Sequence, residues 1–163
     1  MDDRLCVPAI EGWYSLDEDE PYLIGSRCTA CGTHYFPPRE RLCSNPDCGG
    51  SSPAKSGSQA TGAGDTPLLE RVPLSRTGTV WSYTNACYQP PEPYVSPDPF
   101  QPFAIAAVRL DAPSMIVLGQ VAAGVGVEQL RVGMRMEIVL ETLYSDPHSA
   151  RVIWKWKPVE GAV

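Results

Sequence analysis

The sequence predicts a mainly β protein in which a small cysteine-rich, metal-binding ribbon precedes a five-stranded barrel, with a short helix near the N-terminus. Three observations predict this fold class. Four of the 6 cysteines cluster in the first third of the chain, and five runs of β-type sequence follow residue 76. The chain also contains 17 prolines, which argue against a mostly helical protein.

The composition is that of a globular protein, and the net charge argues against nucleic acid as a partner. The 163 residues suffice for one ordinary domain, or for a small module together with a compact domain. A formal net charge of −6 repels a phosphate backbone, so we expect no nucleic-acid binding. No apolar run approaches the roughly 20 residues of a membrane span, and the N-terminus lacks the basic-then-apolar order of a signal peptide. We therefore expect a cytoplasmic protein that binds no membrane.

Two elements are predicted before the cysteine cluster. Residues 11–16, EGWYSL, predict the short helix, and residues 22–27, YLIGSR, predict a strand that enters the first cysteine pair. The acidic stretch DEDE at 17–20 is expected to be a solvated turn. Together with the cysteine ribbon, this segment is assigned to a first domain, residues 1–50.

The cysteine spacing predicts a structural zinc site. Cytoplasmic thiols stay reduced, so paired cysteines there bind metal more often than they form disulfides. Gly32 directly follows the first pair, and glycine supplies the positive φ that a metal knuckle often needs. Two facing knuckles give a tetrahedral four-sulfur site with no open position for water. The predicted ligands of one zinc ion are Cys28, Cys31, Cys43 and Cys48.

Other interpretations of the cysteines remain open. Four thiolates suit iron as well as zinc, so an iron site is the alternative, and four incidental buried cysteines are a weaker one. His34 would be a ligand only if it replaced a cysteine. Cys6 and Cys87 stand alone and are expected to behave as small apolar or mobile side chains. A nucleophilic cysteine would need a basic partner, and His34 and His148 lie in no catalytic motif.

A linker and a second domain follow the ribbon. Residues 49–67 contain no Leu, Ile, Val or aromatic residue, so they bury too little apolar surface to offset the entropy of ordering. We predict a flexible linker at 51–67 and a barrel domain at 68–163.

Five strands are predicted in the barrel domain, and their order indicates an OB-fold. Apolar runs or alternation of apolar and polar residues mark each strand. The segment 126–133 is long enough for one or two helical turns between the third and fourth strands, as in an OB-fold. A five-stranded meander gives the same periodicity and remains the alternative. The predicted strands are 77–88, 103–110, 114–121, 134–143 and 150–157.

The connection at 89–102 is rich in proline, which excludes a helix or a central strand and predicts a stiff, extended arm. Tyr94 and Phe100 project from it. They either fold back on the barrel or meet a partner, since stiff aromatic segments lose little entropy on docking.

Five stretches of the sequence resemble a known family: CTACGTHYFPPRERLC, GTVWSYT, PFAIAAVRLD, LRVGMRMEIVLE and WKWKP. It is the bacterial and archaeal family with an N-terminal rubredoxin-like zinc ribbon and a C-terminal acyl-CoA-associated OB-fold, long described as a domain of unknown function. The resemblance covers residues 10–158. Two features depart from the family pattern: the second cysteine pair is spaced more widely, and the loop at 49–67 is longer.

The resemblance implies an accessory role. Such proteins accompany a thiolase-like enzyme, either a thiolase or a carbon–carbon lyase (retro-aldolase) that acts on acyl-CoA thioesters. Some accompany hydratases or bridge two enzymes, and steroid side-chain degradation is one setting. We therefore expect a non-catalytic subunit that shares an acyl-CoA thioester with a thiolase-like partner subunit.

Two alternatives from other functional classes are weaker. A nucleic-acid-binding pair of zinc ribbon and OB-fold is opposed by the net charge and by the lack of a dense basic groove. An independent enzyme would need paired or activated catalytic groups, whereas the carboxylates of this chain are scattered along the sequence. Examples are Glu70, Asp98, Asp111 and Asp146.

Candidate binding residues follow from chemistry alone. Aromatic side chains bury large areas at low entropic cost, so the candidate partner anchors are Trp81, Tyr83, Tyr94 and Phe100. A position in the barrel core is the alternative for Trp81. Arg76 and Lys155 are candidate contacts to a CoA phosphate, on the basis of charge alone.

Overall fold

The computed structural model of the chain describes residues 5–40, 42–48, 69–91 and 96–159. The linker predicted at 51–67 lies outside the described residues, and so does Tyr94. No helix in the described part of the chain is long and apolar enough to span a membrane.

Strands dominate the described residues, which confirms the predicted mainly β class. One short 3₁₀ turn occurs at Val127–Gln129, and no α-helix is found in the ranges that the structure covers. The strands are β1 (Leu5–Pro8), β2 (Ile24–Cys28), β3 (His34–Tyr35), β4 (Leu69–Pro73), β5 (Thr77–Ala86), β6 (Phe103–Leu110), β7 (Ile116–Gln120), β8 (Arg135–Ser145) and β9 (Ser149–Pro158).

The ribbon unit, Ile24–Pro73, is one of two compact units in the chain. Its antiparallel sheet has the order β3-β2-β4, with β2 in the centre. Ser26 of β2 is fully buried, and its hydroxyl accepts a 2.9 Å hydrogen bond from the backbone N–H of Arg39. Because a buried hydroxyl is costly without a partner, this bond holds the segment after β3 against the sheet. β2 ends at Cys28, so the sheet positions the first cysteine.

The barrel unit comprises Met1–Leu23 and Leu74–Val163. Its sheet has the order β1-β9-β8-β5-β6-β7, and all pairs from β9 to β7 are antiparallel. A parallel bridge between Val121 and Trp156 brings the chain after β7 onto β9 and closes the barrel. β1 pairs in parallel with the first residues of β9, along the edge of β9 that faces away from β8. The predicted five-stranded OB-fold is therefore confirmed.

Alternation of side chains along β6, β8 and β9 builds the barrel core. On β8 and β9, Met136, Ile138 and Trp156 are almost completely buried, and polar residues alternate with them. Trp154 and Trp156 meet edge to face, with 5.6 Å between ring centroids. A Cβ atom at Gly119 of β7 would overlap the ring of Trp154. Glycine at this position therefore lets the indole pack directly against the backbone of β7.

The predicted helix at 11–16 is wrong, since these residues form a turn. Gly12 has a φ of 75°, and six residues are too few for a stable helix without tertiary support. The turn is fixed instead by Tyr14. Its hydroxyl donates a 2.7 Å hydrogen bond to the carbonyl of Val152 and accepts one from the N–H of Ala9 at 3.0 Å.

The compact units differ from the predicted boundaries at two places. β1 and the turn after it lie in the barrel unit, although residues 1–50 are predicted as one domain with the ribbon. β4 pairs with β2 of the ribbon, although residues from 68 onward are predicted to belong to the barrel. In both cases the partner strand is distant in sequence, so local pattern does not identify it.

Candidate functional site

The first cysteine pair lies in a tight turn at the end of β2. The N–H of Gly32 donates to the carbonyl of Cys28 at 2.8 Å, and the N–H of Cys28 donates to the carbonyl of Thr33 at 2.8 Å. Gly32 has a φ of 73°, the left-handed region that the sequence predicts for it. This turn brings the thiols of Cys28 and Cys31 to one side.

A second turn brings the other two thiols to the same point. The side-chain oxygen of Asn45 accepts from the N–H of Asp47 at 3.0 Å, and its carbonyl accepts from the N–H of Cys48 at 3.1 Å. Asn45 thus organises the four residues between Cys43 and Cys48 as a closed loop.

The four sulfur atoms have the separations of a tetrahedral metal site. All lie within 4.8 Å of one another, and the Cys28–Cys48 and Cys31–Cys43 pairs are 3.7 and 3.6 Å apart. Zinc–sulfur bonds of about 2.3 Å at tetrahedral angles separate the sulfurs by about 3.8 Å, whereas a disulfide bond is about 2.05 Å long. The four cysteines are therefore positioned to bind a metal ion.

The surroundings of the four sulfurs are unequal. Cys28, Cys43 and Cys48 are buried with Leu69 in one small cluster, against which Tyr35 packs, whereas Cys31 is exposed. The hydroxyl of Thr33 lies 3.1 Å from the sulfur of Cys31, and the hydroxyl of Tyr35 lies 3.0 Å from that of Cys43.

Hydrogen bonds shift the pKa values of these thiols in opposite directions. The Thr33 hydroxyl lowers the pKa of Cys31 to about 6, and the Tyr35 hydroxyl lowers that of Cys43. A backbone hydrogen bond from Cys31 lowers the pKa of Cys28, but burial and the neighbouring thiols of Cys31 and Cys43 raise it to about 11 overall. The thiols of Cys28 and Cys31 therefore do not ionise together on their own. A divalent cation would supply the charge that deprotonates all four, with release of protons.

The other candidate ligands lie outside the cluster. His34 is the first residue of β3 and is not among the four clustered side chains of the described residues. Cys6 and Cys87 are exposed and are also outside it.

Arg76 is engaged within the barrel unit. Its guanidinium lies 3.2 Å from the carboxylate of Glu20 and donates to the carbonyls of Asp19 and Pro21, also at 3.2 Å. Glu137 lines the same depression. These acidic neighbours oppose a phosphate at this position, and Arg76 instead fastens the 19–21 segment to the barrel.

Lys155 lines a different and larger cavity of about 510 Å³ at one end of the barrel. Its ammonium lies 2.9 Å from the carboxylate of Glu141, which also accepts from the N–H of Ala123 at 3.1 Å. The side chain of Lys155 is only 13% exposed, and of the two paired residues it is Lys155 that lines the cavity. The structure does not bring Lys155 and Arg76 to one site.

Trp81 and Tyr83 lie on an irregular part of β5. Val80 pairs with Val108 and Ser82 with Ala107, so Trp81 is the extra residue of a β-bulge. Trp81 is 58% exposed and Tyr83 38% exposed, which excludes the core alternative for Trp81.

The end of β5 has an uncovered side among the described residues. β8 pairs with β5 only at Thr77–Thr79, so the residues after Trp81 have β6 as their one strand neighbour in the described part of the chain. Phe100 is half-buried and meets the ring of Phe103 edge-on, with centroids 6.3 Å apart. Of the two predicted positions for the arm, this residue adopts the one against the barrel.

Sequence reasoning overlooked the hydroxyl residues beside the metal ligands. Thr33 and Tyr35 alternate directly after the first knuckle and Asn45 lies inside the second, which is the available signal. The contacts of Tyr35 with Cys43 and of Asn45 with Thr33 depend on how the two knuckles face each other, and spacing does not reveal that.

Comparison with known proteins agrees with this architecture. The family model described as "ChsH2, rubredoxin-like zinc ribbon domain" matches residues 17–54, and the one described as "ChsH2, C-terminal OB-fold domain" matches residues 71–141. A DUF35 domain-containing scaffold protein of Methanocaldococcus jannaschii is 29% identical over 143 residues, or 85% of this chain and 82% of that protein.

A solved structure described as "Ltp2-ChsH2(DUF35) aldolase" matches with a TM-score of 0.52 and 26% identity, covering 84% of each chain. The matches and the geometry share one domain order, a four-cysteine ribbon followed by a five-stranded barrel. The chain therefore contains two domains that match ChsH2 family models, a rubredoxin-like zinc ribbon followed by a C-terminal OB-fold.

Proposed function

We propose that this chain is a non-catalytic, zinc-binding accessory subunit of a thiolase-like acyl-CoA enzyme, a carbon–carbon lyase of the aldolase type or a thiolase. The observation that carries the proposal is its similarity, over most of both chains, to the ChsH2-type component of a two-protein aldolase. The scaffold description of the archaeal relative supports the same role. Steroid side-chain degradation in the cytoplasm is the setting that the family resemblance favours.

The metal has a structural role in this proposal. Zinc is the ion that the ribbon family favours, and four thiolates leave it no open position for water or substrate. Small ribbons have too little apolar core to fold without such a cross-link. The ribbon thus contributes a folded surface and no catalytic group, and the partner contributes the nucleophile and the base.

The barrel surface around β5 is the proposed docking region. Exposed tryptophan and tyrosine are enriched among residues that dominate binding energy, and Trp81 and Tyr83 stand on a bulge, which re-aims side chains. The uncovered side of β5 adds backbone groups that an extended partner segment can pair with. Tyr94 remains a predicted anchor. Phe100 packs edge-on against Phe103 of β6 and thereby holds its end of the proline-rich arm on the barrel.

The acyl-CoA thioester is proposed to be shared with the partner's active site. The cavity beside Lys155 has amide side chains in its wall, from Asn85, Gln101 and Gln120. Lys155 is paired with Glu141, and Glu128 also lines the cavity, so this wall disfavours an anion. Of the two predicted CoA contacts, Arg76 is the weaker, because its acidic neighbours Glu20 and Glu137 oppose a phosphate.

Co-expression tests the proposal. The chain is produced alone and together with a candidate thiolase-like partner protein, and cleavage and condensation of acyl-CoA thioesters are assayed. We expect no turnover by the chain alone and clear turnover with the partner. Robust turnover by the isolated chain would overturn the accessory role.

The docking region is tested by a matched pair of variants. Trp81→Ala should weaken the complex roughly 10-fold or more, the loss typical of a central aromatic anchor. Tyr144→Ala removes an aromatic ring at the far end of β8 that is 38% exposed, as Tyr83 is, and should leave the affinity unchanged. Titration by calorimetry measures both. Equal effects of the two variants would contradict the assignment of the β5 surface.

A further inference from the structure

Two hydroxyl groups lie against the metal-binding sulfurs, and each also accepts a hydrogen bond from the second knuckle. The backbone N–H of Ser44 donates to the hydroxyl oxygen of Tyr35 at 2.9 Å, and that oxygen lies 3.0 Å from the sulfur of Cys43. The side-chain amide of Asn45 donates to the hydroxyl oxygen of Thr33 at 3.0 Å, and that oxygen lies 3.1 Å from the sulfur of Cys31.

The incoming N–H groups determine which way the hydroxyl protons point. A hydroxyl that accepts a hydrogen bond keeps one proton to donate, and a metal-bound thiolate carries no proton of its own. The proton of Tyr35 is therefore directed at Cys43 and that of Thr33 at Cys31. The amide of Asn45 is oriented as well, because its oxygen is occupied by the N–H of Asp47.

We propose that Tyr35 and Thr33 are outer-sphere hydrogen-bond donors that stabilise the metal-bound thiolates of Cys43 and Cys31 and slow the release of the metal. A divalent ion with four thiolates carries a net charge of about −2, and donors to two sulfurs disperse that charge. The inference depends on a metal ion at the four cysteines and is independent of the partner enzyme.

The proposal also gives a role to the two residues that directly follow Cys43. Four residues separate Cys43 from Cys48, and two of them, Ser44 and Asn45, supply the N–H groups that orient the two hydroxyls.

Tyr35→Phe and Thr33→Val test the donors without removing a ligand. Phenylalanine keeps the ring on which the Arg39 guanidinium stacks, 4.7 Å from the ring centroid, and removes only the hydroxyl. Valine has nearly the shape of threonine. Tyr88→Phe removes an exposed hydroxyl of the barrel unit and is the matched control.

The first measurement is the rate at which zinc-loaded full-length protein transfers its metal to a chromophoric chelator. Loss of an outer-sphere partner typically lowers metal affinity by about 10–100-fold, so we expect release roughly 10-fold or more faster in each donor variant. The control should release zinc at the wild-type rate. Wild-type rates in both donor variants would overturn the proposal.

The second measurement separates hydrogen bonding from a general loosening of the ribbon. In cobalt-substituted protein, a hydrogen bond stabilises the sulfur lone pairs, so its loss should move the thiolate-to-cobalt charge-transfer band to lower energy. We expect this shift in both donor variants and not in Tyr88→Phe. Faster release without the shift would show that the residues act only through packing and would overturn the proposal. If one variant fails to fold, the other decides through the same two measurements.

Discussion

Asp111, directly after β6, joins the starts of two other barrel strands. Its carboxylate accepts two hydrogen bonds from the guanidinium of Arg135, at 2.6 and 2.7 Å, and one from the hydroxyl of Thr77 at 2.5 Å. The Arg135 guanidinium, followed by the Thr77 hydroxyl, lowers the pKa of Asp111 from 3.8 to about 2. The carboxylate therefore stabilises the fold in its charged form.

Asp111→Asn should cost little at neutral pH and nothing at low pH. The side chains of Arg135 and Asp111 are 40% and 41% exposed, so solvent screens the pair and we expect a loss below about 1 kcal/mol in the free energy of unfolding. A depressed pKa contributes stability above the unfolded value that is lost as pH falls through the folded value. The difference between wild type and variant should thus shrink from about pH 4 to about pH 2.

Urea unfolding of both proteins, followed by tryptophan fluorescence at several pH values, measures this difference. The comparison cancels other acid-sensitive groups, since both proteins share them. A difference that stays constant down to pH 2 would contradict the assigned role of the carboxylate.

At the scale of strands, Gly119→Ala tests the contact between β7 and β9. The new methyl group would overlap the ring of Trp154, and a close-packed core resists such insertion. We expect the free energy of unfolding to fall by about 1–3 kcal/mol, the usual cost of overpacking. Ser82→Ala, on the exposed part of β5, is the control and should change stability by less than about 0.5 kcal/mol. Denaturant titration measures both, and a neutral Gly119→Ala would show that β7 and Trp154 are not tightly packed.

The barrel strands could be predicted from sequence because each has its own local signal. Apolar and polar residues alternate along β8 and β9, and the buried positions are those that the alternation indicates. β1 could not be predicted, since its four residues, LCVP, show no alternation and become a strand only by pairing with β9. The short turn with Tyr14 was mistaken for a helix because its stability comes from Val152, far away in sequence.

The metal site was predictable to the level of its ligands. Thiol spacing and the glycine after the first pair depend on local geometry, which sequence records directly. The hydroxyl donors were not predictable, because Tyr35 reaches Cys43 only after the second knuckle folds over the first. Thr33 lies beside Cys31 in the sequence, but its proton is directed at that sulfur only when Asn45 of the second knuckle donates to its oxygen. The same limit applies to Arg76. Its partners are the carboxylate of Glu20 and the carbonyls of Asp19 and Pro21, and the charge of Arg76 alone does not predict that it contacts them.

For the whole molecule, we expect metal removal to unfold the ribbon unit and leave the barrel unit folded. The ribbon's buried cluster consists mainly of the ligands themselves, whereas the barrel has its own apolar core. Trp13, Trp81, Trp154 and Trp156 all belong to the barrel unit, so tryptophan emission reports on that unit. Chelation should therefore leave the emission unchanged while the four ligand thiols become reactive in addition to the exposed Cys6 and Cys87.

Cys28→Ser should reproduce the effect of the chelator, and Cys87→Ser, which removes an exposed thiol outside the cluster, should not. Thiol titration with a chromogenic disulfide and the denaturant midpoint of tryptophan emission are the two measurements. A large fall of that midpoint in Cys28→Ser would contradict the independence of the barrel core from the metal.

The pairing of β1 with β9 constrains the order of events on the ribosome. Leu5 lies opposite Ser149 and Pro8 opposite Val152, so β1 waits for its partner until nearly all of the described chain has been synthesised. The ribbon sheet is complete much earlier, once Pro73 has emerged at the end of β4. At roughly 5–20 residues per second, the interval between these two points is on the order of 10 s. A nascent chain thus has time to capture its metal while the barrel is still open and β1 still lacks a neighbour.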